Sequence, residues 1–132
     1  MGYWDFAVQM PDKPGEMGKL TTKLGEAGIN IEGAITVAVG GQGWMHICVS
    51  DSHRAETGKV IETAGYKATE TEVLVESVDD RPGVLGRLGH VFGEAGVNIN
   101  FGYMCTNNRL CIGTSDVAKA RQVWMTVGAQ TH

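Results

Sequence analysis

The sequence predicts an α+β chain made of one small βαββα-type module written twice. Three observations lead there. Asp12-Lys-Pro-Gly-Glu-Met-Gly-Lys-Leu20 returns 68 positions later as Asp80-Arg-Pro-Gly-Val-Leu-Gly-Arg-Leu88. At the same offset Leu24-Gly-Glu-Ala-Gly-Ile-Asn-Ile31 lines up with Phe92-Gly-Glu-Ala-Gly-Val-Asn-Ile99, and over residues 12–31 eleven of twenty positions are identical without a gap. Further on, His46-Ile-Cys-Val49 matches Arg109-Leu-Cys-Ile112 at an offset of 63, so the second copy is five residues shorter between the blocks. The loss falls where Gly40-Gly41-Gln42-Gly43 faces Asn107-Asn108. Both are hairpin-turn chemistry, because Gly and Asn tolerate positive φ. The predicted modules are residues 1–69 and 70–132.

Each element has its own signal. Trp4, Phe6, Val8 and Met10 alternate with Asp5, Ala7 and Gln9, the pattern of a strand with one apolar face. Pro11 to Gly15 is a loop. Met17, Leu20, Leu24 and Ala27 then fall at helical spacing, and Leu85, Leu88, Phe92 and Ala95 repeat them. Gly28 and Gly96 suit left-handed caps at the ends of these helices. Ile29 to Val39 and Val97 to Thr106 are expected as strands, followed across the turns by Met45–Ser50 and Leu110–Thr114. Ser52 and Ser115 are candidate N-caps for second helices that end at Ala64 and Val127, before Gly65 and Gly128. Tyr66–Thr69 runs almost directly into Glu72–Val78. Only Ala129–His132 remains after the last helix, too little for a firm strand. The expectation is two ferredoxin-like βαββαβ modules, the fourth strand of the second short or missing.

Composition narrows the function classes. Of 132 residues 42% are hydrophobic and 20% charged, as in ordinary globular domains and unlike disordered chains. No apolar run approaches the roughly 18 residues that cross a bilayer, so no membrane role is expected. Met1–Met10 has no basic residue before an apolar stretch and does not read as a signal peptide. Gly2 lacks the Ser or Thr that myristoylation would want at position 6, where Phe6 stands. A net charge of −4 with singly scattered basic residues argues against nucleic acid. Three cysteines without a CxxC pair (Cys48, Cys105, Cys111) point to a reducing, cytoplasmic setting.

The chemistry concentrates in the strand-to-helix loop. Pro fixes φ, Gly allows a sharp turn, and the helix start that follows presents bare backbone N–H groups with a partial positive charge. A free carboxylate can dock there without a dedicated basic side chain. Gly18 and Gly86, in the first helical turn, would let a ligand reach the backbone; close packing is the other reading of these glycines and of Gly25, Gly89 and Gly93. Asn30 and Asn98 follow the glycine that ends the same helix. An Asn amide can donate to a carboxylate and accept from an ammonium. The alternatives are plain: Asp12 and Asp80 as turn or cap residues, and Asn30 and Asn98 as braces for the local backbone.

With both blocks in view, the chain resembles a tandem pair of ACT domains, small regulatory ligand-binding modules of amino-acid metabolism. The resemblance implies modules paired side by side into a larger sheet and an amino acid bound at the seam between them. It places the loop of one module against the post-helix Asn of another. The implied sites are Asp12, Lys13, Pro14, Gly15, Met17 and Gly18 with Asn98, and Asp80, Arg81, Pro82, Gly83, Val84, Leu85 and Gly86 with Asn30. Glu16 stands where the second copy has Val84, and a carboxylate there would repel a ligand carboxylate unless it turned outward. The Asp80–Gly86 loop is therefore the better candidate.

The implied role is non-catalytic, without cofactor or metal: a sensor, expected as a homodimer, acting in trans on an enzyme or protein partner. A regulatory small subunit of the acetolactate synthase type is the alternative. A thiol or metal protein using Cys105 and His90 is a third, with no tight ligand spacing behind it. Cys48 and Cys111 read as small core residues, His53 as a residue near a helix start, and Glu70, Glu72, Glu76, Asp79 and Asp80 as a solvated acidic stretch. Trp44 and Trp124 are expected outside the small core, at an interface.

Overall fold

A computed structural model describes the backbone of residues 2–131 and the side chains of residues 2–127. The chain divides into two compact units, Met1–Thr71 and Glu72–His132. In the first, β1 (Tyr3–Pro11) leads into α1 (Glu16–Glu26), the hairpin β2 (Gly33–Val39) and β3 (Gln42–Ser50), a 3-10 turn (Asp51–His53) and α2 (Arg54–Thr63). The strand β4 (Lys67–Ser77) then carries the chain into the second unit, where α3 (Val84–Glu94), β5 (Ile99–Cys105), β6 (Arg109–Thr114) and α4 (Val117–Thr131) repeat the order.

In the first unit β3 pairs antiparallel with both β1 and β2, with Phe6 opposite Ile47 and Val37 opposite Trp44. Phe6, Val8 and Met10 alternate onto the face that meets Met45, Ile47 and Val49, and Leu20, Leu24 and Ile61 close over them. Each such aliphatic side chain removed from water contributes about 1.5–3 kcal/mol. In the second unit β6 pairs with β4 and β5, and Leu74, Leu110 and Ile112 form a core with Val84, Leu88, Phe92, Val123 and Trp124.

The glycines at the helix ends behave as expected. Gly28 has φ 76°, its N–H donates to Gly25 O, and Ile29 N donates to Leu24 O at 3.0 Å. This is the 6→1 and 5→2 pair of a Schellman cap. It recurs at Gly65 (Tyr66 N to Ile61 O, 3.1 Å) and at Gly96 (Val97 N to Phe92 O, 2.9 Å). The hairpin glycines Gly40 and Gly41 have φ 59° and 82°, and their counterparts Asn107 and Asn108 have φ 62° and 53°, so a length change is absorbed in a turn.

Several expectations are corrected. The buried stripe of α1 is Glu16, Leu20 and Leu24, and that of α3 is Val84, Leu88 and Phe92. Met17 (51% exposed) and Leu85 (61%) point away from the core. Both settings satisfy helical spacing, and the i, i+4, i+8 row faces the sheet because a left-handed glycine sets where each helix begins. Trp124 is buried in the second core at 8% exposure, whereas Trp44 remains 37% exposed. Asp116, not Ser115, caps α4, accepting from Lys119 N at 3.0 Å. Ser52 bonds to Ser50 Oγ instead of capping α2. β2 starts at Gly33 and β5 at Ile99, later than their β-branched composition suggests, because the Schellman turns occupy the residues between. Helix α4 continues through Gly128 to Thr131, so residues 129–131 are helical where a fourth strand is in question; His132 lies outside the described residues. The glycines of α1 and α3 are not close-packed: a Cβ added at Gly18, Gly25, Gly86, Gly89 or Gly93 meets nothing within 4 Å.

Candidate ligand site

The Pro-Gly loops end alike. Gly15 has φ 90° and Gly83 has φ 92°, and each serves as N-cap with no side-chain hydrogen bond to its helix. Only glycine adopts that conformation without strain, and a glycine cap has no side-chain oxygen to satisfy the first-turn N–H groups. Asp12 and Asp80 are exposed, and the N-cap position of α1 and α3 is taken by glycine rather than by either of them.

The two starts then diverge. In the second unit Val84 is buried at 4% exposure. The space in front of α3 is a cavity of about 410 Å³ lined by Val78, Asp79, Asp80, Arg81, Val84, Leu85, Met104, Cys105 and Asn108. That falls in the range of about 300–1,000 Å³ typical of small-molecule sites. The corresponding cleft of the first unit, between the Asp12 loop and Thr36–Ala38 of β2, is about 80 Å³. Thr36 Oγ1 lies 3.3 Å from Met17 Sδ and holds β2 against the helix start.

Glu16 accounts for the remaining asymmetry. Instead of turning outward it is 8% exposed, and its Oε1 accepts from the Tyr66 hydroxyl at 2.9 Å. Lys13 Nζ approaches it at 3.9 Å. Desolvation, reinforced by the bond to Glu16 and by its charge, raises the pKa of Tyr66 above 10.0. A carboxylate thus already occupies the first turn of α1, where the helix end favours negative charge, while the first turn of α3 contains no acid.

Asn30 and Asn98 are exposed beyond the far ends of α1 and α3. Asn30 Nδ2 donates to Glu32 Oε2 at 2.8 Å, and Asn98 Nδ2 donates to Asn100 Oδ1 at 2.9 Å. An 11-residue helix at about 1.5 Å per residue separates loop and Asn by about 16 Å. No small ligand bridges the two within one module. Arg81, Pro82, Gly83, Leu85 and Gly86 are all exposed; of these Arg81 and Leu85 line the cavity in front of α3, with Arg81 Nε 3.3 Å from Asp79 Oδ2.

Met104, Cys105 and Asn108 were not legible as lining residues. Their signal is the strand pairing that sets Met104 opposite Leu110 and Cys105 opposite Arg109, which the hydrophobic pattern alone does not give. His90 is exposed and its Nε2 sits 3.2 Å from Glu94 Oε1. His46 Nδ1 meets the buried Asp5 Oδ2 at 2.9 Å. Among the described residues no group of three His, Cys, Asp or Glu side chains is placed to hold a metal. No described helix is long and apolar enough to cross a membrane.

Fold and loop geometry together define a duplicated βαββα chain whose two Pro-Gly loops lead onto uncapped helix starts. Residues 6–64 match the family model of the ACT domain. Among solved structures, protein BT0572 from Bacteroides thetaiotaomicron is similar at 20% identity and TM-score 0.80, over 96% of this chain and 88% of that one. The regulatory subunit of aspartate kinase from Thermus thermophilus is similar at 19% identity and TM-score 0.76, over 98% and 92%. The corresponding subunit from Thermus flavus gives 18% and 0.69, over 96% and 92%. Comparison with curated protein sequences returned no match. Residues 6–64 of the first unit thus match the ACT-domain model, and the second unit repeats its loop, helix and hairpin, which makes the fold a tandem of ACT-like modules.

Proposed function

We propose that this chain is a non-catalytic regulatory protein that binds a small amino acid at the Asp80–Gly86 loop and acts in trans on an enzyme. The observation that carries the reading is the difference between the twin helix starts. One already has a carboxylate in its first turn and faces a cleft of about 80 Å³; the other has none and faces about 410 Å³. The ligand carboxylate docks on the N–H groups of α3, and its ammonium end is held by the Asn30 of a neighbouring module. That neighbour is needed because Asn98 is a helix length away. The Asp12–Gly18 loop with Asn98 is the weaker of the paired sites. The modules are residues 1–69 and 70–132.

The similarity to regulatory subunits of aspartate kinase favours a catalytic partner of the amino-acid kinase class over the acetolactate synthase class. A ligand that binds one arrangement of modules better than another supplies the signal. The protein works as a cytoplasmic homodimer. Three buried cysteines that form no disulfide fit a reducing compartment. The exposed Ile35, Val37, Val39 and Trp44 on one face of the first hairpin fit a covered surface.

The test is a melting screen against the common amino acids. A ligand at 100 times its Kd adds about 2.7 kcal/mol. Asn30→Ala should abolish the shift and Asn98→Ala should weaken it. If neither variant alters binding, the seam site is wrong. A monomer in light scattering at micromolar concentration would remove the homodimer, and co-purification with a large catalytic chain tells which partner class is right.

A further inference from the structure

The first unit has a cavity that the loop site does not use. It lies between α1, the tip of the β2–β3 hairpin and the turn from α2 into β4, and has a volume of about 580 Å³. The small cleft of this unit faces β2 instead. The floor is the Glu16–Tyr66 pair, with the Glu16 side chain nine-tenths buried. Lys13 from the loop, Lys19 one turn further along α1 and Lys67 at the start of β4 stand around it, with the Gln42 amide at the hairpin. Three ammonium groups against one carboxylate leave two positive charges in a chain whose net charge is −4. Glu16 donates nothing to an anion, but it holds the Tyr66 hydroxyl at 2.9 Å and has the Lys13 ammonium 3.9 Å away. The second unit has no such floor, because Val84 replaces Glu16.

We propose that this cavity is a binding site for a small dianion, a phosphate-bearing or dicarboxylate metabolite, gripped by Lys13, Lys19 and Lys67 with the Gln42 amide as neutral donor. The lysines come from separate elements, so a dianion bridging them would tie the loop, the hairpin and the start of β4 together. The unit would then have a second input, independent of the amino-acid site.

The probes are inorganic phosphate, alkaline enough to carry two charges, and succinate, each titrated into the full-length ¹⁵N-labelled chain. The salt should be about 0.15 M, where the Debye length of about 8 Å removes diffuse attraction. The amides of Gly41, Gln42, Gly65, Tyr66 and Lys67 should shift and saturate with one of the two anions, and which one does names the source. Lys19→Gln with Lys67→Gln should weaken binding at least ~10-fold, a loss of about 1.4 kcal/mol. Glu16→Gln keeps an acceptor for Tyr66 but removes the negative charge, and should tighten binding. Shifts that do not saturate, an unchanged affinity in the double variant, or weaker binding by Glu16→Gln would each overturn the proposal. So would binding of an acidic peptide where neither small anion binds.

Discussion

Replacing Gly86 by Ala separates the two readings of a helical glycine. The residue lies in the first turn of α3, and a Cβ there meets no heavy atom within 4 Å. Nothing in the free chain opposes the methyl group, and the helix gains about 0.8–1 kcal/mol from the lower backbone entropy of the unfolded state. For a unit of the length of Glu72–His132 that corresponds to a rise of about 3–8 °C in Tm. The same methyl stands where a ligand carboxylate would approach the amides. Thermal unfolding of Gly86→Ala should therefore show a higher melting point alone and a lost increment with the amino acid that stabilises the parent. Gly18→Ala, equally open but in front of the smaller cleft, should raise the melting point and leave the increment intact. A lower melting point for Gly86→Ala would mean the glycine is needed for packing. A preserved increment would mean the ligand does not approach this helix start.

Gly113 on β6 lies under the Phe101 ring, inside contact distance for any added Cβ. Gly113→Ala should destabilise by about 1–3 kcal/mol through overpacking, measured by denaturant unfolding; a neutral change would show that the ring moves freely aside. Tyr66→Phe removes the donor to the buried Glu16 and should cost about 1–3 kcal/mol near neutral pH. It should also flatten the alkaline limb. The folded-state pKa of Tyr66 lies above 10.0, so its contribution is fully present below pH 10.0 and is lost as pH rises through the folded value. An unchanged limb in urea melts across that range would refute this. His46→Ala takes the imidazole from the fully buried Asp5 and should cost about 1–3 kcal/mol; a loss within error would show that the other contacts of Asp5 suffice.

The repeat made most of the secondary structure legible. Two copies of one pattern test each other: a helix, a capping glycine or a turn read in one must recur in the other, and Gly28, Gly65 and Gly96 all adopt the same left-handed cap. The Asp-Lys/Arg-Pro-Gly loops, the uncapped helix starts and the inequivalence of Glu16 and Val84 could be read from local backbone preferences and residue charge. What failed were choices local preference leaves open. Met17 and Glu16 satisfy the helical period equally, and Ser115 and Asp116 are both good caps.

Only the tertiary structure decided that Glu16 turns inward, because its partner Tyr66 is fifty residues away in the chain. It also decided that one loop faces a cleft of about 80 Å³ and the other a cavity of about 410 Å³. Cavity size depends on how a hairpin strand lies against a helix start, a long-range packing outcome. A short-range pattern of apolar and polar residues contains no record of that distance.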